Sequence, residues 1–128
     1  MKYSKDNLIF VPLGGSGEIG MNCNLIHFKN HWIMIDLGVT FNDNELGAYD
    51  LILPKIEFLE DKIDKLSAII LTHAHEDHIG AVPYLYDKLG KTPIYTTSFT
   101  ASVLRRKFES MGMKNVDINI LTYGNQFE

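Results

Sequence analysis

The hydrophobic residues of the chain fall into short runs separated by polar loops, and the period and composition of each run predict an element. Five runs rich in β-branched and aromatic residues predict strands, at residues 8–13, 23–28, 31–36, 66–73 and 92–97, and a sixth strand begins at residue 118. Lys29 and Asn30 separate the second run from the third, which predicts a hairpin turn. The run 66–73 is almost wholly apolar, which is typical of a strand covered on both faces.

Two further segments carry apolar residues at helical spacing. Residues 79–89 predict a helix that Gly90 ends, and the stretch 98–112 contains a second amphipathic helix, with Ser98 as its N-cap and Gly112 beyond its end. Strands that alternate with helices in this way predict an α/β fold, with functional groups at the carboxyl ends of the strands.

Size and composition limit the classes of protein that the chain can represent. Its 128 residues, with 45% hydrophobic and 22% charged residues, are typical of one globular domain. The net charge of −4 provides no overall basic surface, so an RNA or DNA partner requires local positive charge from metal ions or from another part of the protein. The final residues begin a strand and a turn, so we expect a chain that is cut rather than finished.

The cysteine count and the N-terminal sequence indicate the cellular compartment in which we expect the protein. Cys23 is alone, which excludes an internal disulfide framework and a cysteine-based zinc site, and its expected role is small buried filler. The first apolar run is too short for a signal peptide or a membrane span and includes a proline. We expect a soluble cytoplasmic protein without a membrane partner.

A glycine-rich loop follows the first predicted strand. Gly15-x-Gly17-x-x-Gly20, with Asp36 at the end of a later strand, nearly matches the dinucleotide-binding fingerprint. That fingerprint requires a helix that starts in the loop, whereas residues 21–35 favour a β-hairpin, so we disfavour nucleotide binding. The glycines are expected to allow tight turns near a site. Glu18 and Asn22 are either part of the loop structure or candidate site lining.

The stretch "LTHAHEDHIG" gathers groups that bind metals or protons. Imidazole and carboxylate are ordinary ligands of zinc. His73 and His75, at i and i+2, can converge on one ion from an extended or looped backbone, and Asp77 and His78 can face a second ion as the loop enters a helix. The alternative is a hydrogen-bonded polar loop in which Asp77 caps that helix. Three histidines and an aspartate at the end of a buried strand favour the metal site.

The neighbouring Glu76 is expected to be an exposed charge at the edge of the loop, with a catalytic role as the lesser alternative. A zincin is disfavoured, because its two histidines lie at i, i+4 on a helix with a glutamate between them.

These residues carry a resemblance to a known family. "THAHEDHIG" resembles the His-x-His-x-Asp-His signature of the metallo-β-lactamase superfamily. More narrowly, "LGGSGEIGMN", "MIDLGVTF", "YDLILP" and "LTHAHEDHIGAVPYL" are similar, in this order and spacing, to the ribonuclease J family of the nucleic-acid-processing β-CASP group. The resemblance runs from about Leu8 onward and is strongest up to Leu85. It implies an αββα sandwich, of which residues 1–128 are the N-terminal part only, with the β-CASP and C-terminal domains absent.

The resemblance also implies roles for individual residues. His73 and His75 would ligate one zinc ion, and Asp77 and His78, which are also its catalytic residues, would ligate the other; manganese is an alternative metal. Asp36 would support the loop without ligating. A later histidine, a bridging aspartate and a final histidine complete the site in the family, and no histidine follows His78 here.

The function implied by the resemblance is hydrolysis of RNA phosphodiester bonds, exonucleolytic from the 5′ end or endonucleolytic, by a hydroxide that two zinc ions activate. RNA is the implied partner, and the full-length protein is expected to form a homo-oligomer. Arg105, Arg106 and Lys107 could contact RNA, but their place on an amphipathic helix favours a solvated face.

Two alternatives stay open. One is a hydrolase of the same superfamily that acts on a small thioester or lactam, and the other is a non-catalytic metal-binding or interaction module. In the preferred hypothesis the 128 residues alone are inactive and bind zinc weakly, because four ligands cannot complete two sites. An apolar sheet face without a partner would favour dimerisation or aggregation.

Overall fold

The computed structural model describes residues 3–43 and 49–126, and its main feature is a six-stranded mixed sheet. The strands described are β1 (Ile9–Gly14), β2 (Cys23–Phe28), β3 (His31–Ile35), β4 (Thr40–Asp43), β5 (Tyr49–Ile52), β6 (Leu66–Ile70), β7 (Ile94–Thr96) and β8 (Ile118–Ile120). The helices are α1 (Glu76–Ile79), α2 (Val82–Leu85) and α3 (Ser98–Ser110). The sheet order is β1-β2-β3-β6-β7-β8, and β4 pairs with β5 in a separate hairpin that the sequence pattern did not predict.

The hairpin of β2 and β3 has the turn that was predicted. Phe28 pairs with His31, so two residues make the turn, and both lie in left-handed backbone, Lys29 at φ 47° and Asn30 at φ 65°. Two consecutive positive φ values are the property of the type I′ turn, whose twist matches that of antiparallel strands.

The second half of the sheet is parallel, with β3, β6, β7 and β8 adjacent in that order. The helices lie in the connections between these strands. Right-handed connections that all step in one direction along a sheet place their helices on the same face. Alternate strand residues form a buried core with the helical residues on this face, among them Leu25, Met34, Ile69, Ile94, Tyr86, Leu104 and Phe108.

The opposite face of the sheet is apolar and only partly covered. Phe10 is 60% exposed, and its neighbours across the strands on this face are half-buried: Ile26, Ile33, Ile35, Ile70 and Tyr95. The prediction that both faces of the strand at 66–73 are covered is therefore wrong at Ile70. The prediction of an exposed apolar face is confirmed at Phe10, while the other residues of this face are half-buried.

The helix predicted at 79–89 is replaced by two short helices, α1 and α2, so that prediction is wrong. The break at Gly80 and Ala81 has two physical causes. Ala81 donates its N–H to Leu37 O at 3.0 Å, outside the helix, and Pro83 has no N–H to donate. The helix at 98–112 is confirmed as α3, although its N-cap is Thr97 rather than Ser98, and Gly112 follows its end at φ 70°.

The strand predicted at 66–73 ends at Ile70 and not at His73. Leu71 still donates to Tyr95 O at 2.9 Å, but the N–H of Thr72 turns away to the Asp36 carboxylate at 2.8 Å. The chain leaves the sheet at the point where the cluster of histidines begins.

Candidate metal centre

The candidate site lies at the carboxyl ends of β3 and β6, which are parallel neighbours in the sheet. Asp36 follows β3 directly, and the histidine cluster follows β6. Because Ile35 pairs with Ile70 and Asp36 donates its N–H to Ile70 O at 2.9 Å, the two loops leave the sheet side by side. This edge is where parallel sheets place their functional groups.

Asp36 is the centre of the hydrogen bonding in the site. The residue is 5% exposed, and its backbone lies in the left-handed region at φ 61°, a conformation that costs free energy in a non-glycine residue and is concentrated at functional sites. Its carboxylate accepts from Thr72 N at 2.8 Å, from Thr72 Oγ1 at 2.9 and 3.0 Å, and from His78 Nδ1 at 2.8 Å. Asp36 therefore fixes both ends of the loop that carries the histidines.

These bonds assign the protons of two histidines. His78 Nδ1 must carry the proton that it donates to Asp36, so its Nε2 has a free lone pair. Thr72 donates its hydroxyl proton to Asp36, so its oxygen accepts from His73 Nδ1 at 3.0 Å, which leaves His73 Nε2 with a lone pair as well. A carboxylate behind a histidine commonly prepares it in this way to bind a metal.

The four candidate ligands converge in pairs. His73 Nε2 lies 3.2 Å from His75 Nδ1, and Asp77 Oδ2 lies 3.5 Å from His78 Nε2. The two pairs are adjacent, because the rings of His73 and His78 have centroids 4.0 Å apart. The sequence resemblance implied the same two pairs as ligands of two separate ions, and that assignment stays a prediction.

The donor set fits a metal, although only in part. Imidazole nitrogen and carboxylate oxygen suit zinc and manganese, and Asp36 keeps the Nε2 atoms of His73 and His78 without a proton. Among residues 3–43 and 49–126, however, no three His, Cys, Asp or Glu side chains are arranged as a finished cation site. Each pair therefore supplies two of the donors that a cation needs.

Backbone hydrogen bonds join residues 37–39 to the segment that carries Asp77 and His78. Leu37 N donates to His78 O at 2.8 Å, and Val39 N donates to Glu76 O at 3.1 Å. Between them, a Cβ on Gly38 would lie 1.7 Å from Asp77 O, so no side chain fits at this position. Sequence reasoning missed Gly38 and Thr72, although each lies within two residues of a candidate site residue, Asp36 or His73.

The glycine-rich loop leads directly into β2 at Cys23 without a helix, which excludes the dinucleotide-binding arrangement. Its two candidate lining residues differ in position. Asn22 lies against Asp77 and His78, with its Nδ2 at 3.2 Å from Asp77 Oδ2. Glu18 is exposed and accepts a hydrogen bond from Gly15 N at 3.1 Å within its own loop.

α1 begins at Glu76 with His75 as its N-cap, so the alternative in which Asp77 caps this helix is wrong. Glu76 is exposed, as predicted, and forms an ion pair with Lys107 of α3. Arg105 and Arg106 lie on the solvated face that was predicted, whereas Lys107 does not: its side chain is 27% exposed and contacts Glu76.

Cys23 is fully buried next to the site. Burial raises the pKa of its thiol to about 12, and the negative charge of Asp36 adds to this effect. The thiol is therefore an uncharged packing group, in agreement with the filler role predicted from the sequence.

The comparison with known families identifies the class. The model of the metallo-beta-lactamase superfamily matches residues 17–119, which include the whole candidate site. The chain belongs to the metallo-β-lactamase superfamily. Its fold resembles that of human tRNase Z, short form, with a TM-score of 0.52 over 87% of this chain and 43% of that one. At 16% identity this likeness supports the fold alone.

Within the superfamily, the chain is similar to ribonuclease J from several bacteria, which confirms the narrower resemblance. It is 45% identical over 127 residues to ribonuclease J of Sinorhizobium meliloti, and 41% identical over 111 residues to that of Helicobacter pylori. The corresponding protein of Thermus thermophilus is 35% identical over 120 residues. These matches cover 94%, 87% and 91% of this chain, but 22%, 16% and 21% of the relatives. The chain thus spans about a fifth of their length.

Proposed function

We propose that the full-length native protein that contains this chain hydrolyses phosphodiester bonds of RNA. It acts as an exonuclease from the 5′ end and as an endonuclease in the processing and decay of cytoplasmic RNA, and it does so as a homo-oligomer. The observation that carries the proposal is the pairing of His73 with His75 and of Asp77 with His78 at the end of β6. The similarity to ribonucleases J supports RNA as the substrate.

The site residues would hold two cations, which we propose to be zinc with manganese as a substitute. His73 and His75 would bind one through Nε2 and Nδ1, and Asp77 and His78 would bind the other through Oδ2 and Nε2. When bound, the cations supply Lewis-acid charge that polarises a phosphoryl oxygen and activates water. That charge also offsets the net charge of −4, which otherwise disfavours an RNA partner.

The protein prepares these ligands through Asp36. The Asp36 carboxylate keeps the protons of His73 and His78 on Nδ1, directly for His78 and through the hydroxyl of Thr72 for His73. Both rings then present Nε2 as a lone pair in a fixed orientation. Because these bonds exist before a cation binds, the rings of His73 and His78 need little reorientation when one arrives.

We further propose that residues 1–128 alone bind metal weakly and do not cleave RNA. Zinc usually takes four ligands, and each pair offers two. The described residues contain no third donor for either pair. The remaining ligands would therefore come from elsewhere in the native protein.

An assay of the native protein tests the function. A 5′-monophosphorylated single-stranded RNA, a matched DNA and a small thioester are incubated with the protein and Zn²⁺ or Mn²⁺. We expect cleavage of the RNA into products with 5′-phosphates, and a loss of at least 100-fold in a variant with both His73→Ala and His75→Ala. His31→Ala is the matched control, because His31 is exposed and bonds Ser67 away from the site. Intact RNA with a cleaved thioester would overturn the proposal.

A further inference from the structure

Asn22 contacts both members of the second ligand pair. Its side-chain Nδ2 lies 3.1 Å from Asp77 O, 3.2 Å from Asp77 Oδ2 and 3.2 Å from His78 Nε2. All three atoms are acceptors, since His78 carries its proton on Nδ1, so the NH₂ end of the amide must face them and share its two hydrogens among them. The Oδ2 and Nε2 atoms are the ones through which Asp77 and His78 would bind a cation.

The backbone fixes Asn22 in this position. Asn22 N donates to Asp77 O at 2.9 Å, and Asn22 O accepts from Gly38 N at 2.9 Å. Both bonds join the loop that follows β1 to the two loops at the ends of β3 and β6. Asn22 is therefore attached to the site by main chain as well as by side chain.

The glycine-rich loop provides the space that Asn22 needs. A Cβ on Gly15 would lie 2.5 Å from Asn22 Oδ1, and a Cβ on Gly14 would lie 2.3 Å from Met21 O. Met21 has a left-handed backbone at φ 48°, which turns the chain towards the site. The oxygen end of the Asn22 amide thus packs against a glycine, while its NH₂ end points at the ligand pair. The loop that resembled a nucleotide-binding motif therefore places this amide next to Asp77 and His78.

We propose that Asn22 is a positioning residue, which holds Asp77 and His78 together before a cation binds and releases His78 when it does. The inference rests on the metal centre of the proposed function. A carboxylate oxygen has two lone pairs, so Asp77 Oδ2 can keep its bond to Asn22 while it ligates. His78 Nε2 has one lone pair, so it either accepts from Asn22 or binds the cation. The contact to Asp77 persists on metal binding, and the contact to His78 is exchanged.

Two different substitutions of Asn22 distinguish a residue that positions the ligands from one that only supports the fold. Asn22→Ala removes the amide altogether. Asn22→Asp keeps the shape that fits against Gly15, but it replaces the NH₂ group with a carboxylate oxygen that faces Asp77. Asn24→Ala is the matched control, because Asn24 lies two residues further along the chain and bonds to no site residue in the part of the chain that the structure describes.

The experiment is a titration of the metal-free native protein with Zn²⁺ by calorimetry, and with Co²⁺ by its visible absorption, together with melting temperatures before and after loading. We expect Asn22→Ala to weaken one of two metal equivalents by about 10- to 100-fold, the usual effect of losing a group that orients a ligand. Asn24→Ala should bind like the unmodified protein.

Asn22→Asp should behave differently. Without metal, two carboxylates face each other and the melting temperature falls; the cation relieves this repulsion, so the affinity is at least that of the unmodified protein. A residue that only supports the fold would weaken binding in both variants alike, and that result would overturn the inference, as would failure of both variants to fold or normal binding by Asn22→Ala. If the unmodified protein itself binds no metal, the proposed metal centre fails instead.

Discussion

At the scale of single residues, the charge of Asp36 affects both the loop that carries the histidines and the buried thiol of Cys23. Towards the loops it fixes the protons of His78 and, through Thr72, of His73. Towards the core, its charge adds to burial in raising the pKa of Cys23. A carboxylate held in left-handed backbone at 5% exposure is costly, and the number of bonds that it accepts offsets that cost.

The raised pKa of Cys23 predicts a dependence of stability on pH. The thiol pKa is about 12 in the folded protein, against 9.0 as the ordinary value, so the folded state holds this proton more tightly. Its contribution to stability is complete below pH 9 and is lost as the pH rises from 9 towards 12, at a rate of about 1.4 kcal/mol per pH unit at most. Urea unfolding at pH 7 to 10 should therefore show a steeper fall above pH 9 for the unmodified protein than for Cys23→Ala. Equal slopes would contradict this expectation.

Sequence reasoning selected candidate residues by the chemistry of their side chains, and it missed Thr72 and Gly38, whose roles depend on contact. His73, His75, Asp77 and His78 could be proposed as ligands because metal sites need particular atoms at particular spacing. Thr72 carries no such signal, since its hydroxyl matters only because the fold places Asp36 beside it. The contacts of Asn22 with a loop 55 residues away are of the same kind, and no local pattern encodes them.

At the scale of elements, the site is a junction of three loops rather than one loop with ligands. Residues 37–39 lie against residues 76–78 by backbone hydrogen bonds, and Asn22 joins both. The helix prediction at 79–89 failed for the same reason: Ala81 bonds to Leu37, which interrupts a pattern whose apolar spacing is otherwise helical. Helical periodicity reports which face is buried, but a bond to another segment decides where the helix breaks.

The close approach of these segments makes Gly38 sensitive to the smallest substitution. In Gly38→Ala the new Cβ would lie 1.7 Å from Asp77 O, so the two loops must separate. We expect a loss of roughly 3 kcal/mol or more in the free energy of unfolding and a loss of metal binding. Gly17→Ala is the control: its Cβ meets no atom within 4 Å, so only the strain of its left-handed backbone, about 1 kcal/mol, applies. Similar urea midpoints for the two variants would show that the loops can separate without cost.

At the scale of the whole molecule, the described residues form a six-stranded sheet and a separate two-stranded hairpin. The larger sheet has helices on one face and a partly exposed apolar surface on the other. The alternation of apolar runs predicted the α/β class and most of the strands, because the apolar spacing within a run indicates which of its faces is buried. The order of strands and the β4–β5 hairpin depend on pairing between distant segments, which no single run reveals. Within residues 3–43 and 49–126, no helix has the length and apolarity to cross a bilayer.

The central claim is that His73 with His75, and Asp77 with His78, form two halves of a two-metal centre. The most direct test is anomalous diffraction from crystals of the native protein, recorded on both sides of the absorption edge of zinc and, after exchange, of manganese. We predict two anomalous peaks, one in contact with His73 Nε2 and His75 Nδ1 and the other in contact with Asp77 Oδ2 and His78 Nε2. A fully loaded crystal with no peak at these atoms, or with a metal held by other residues, would contradict the account.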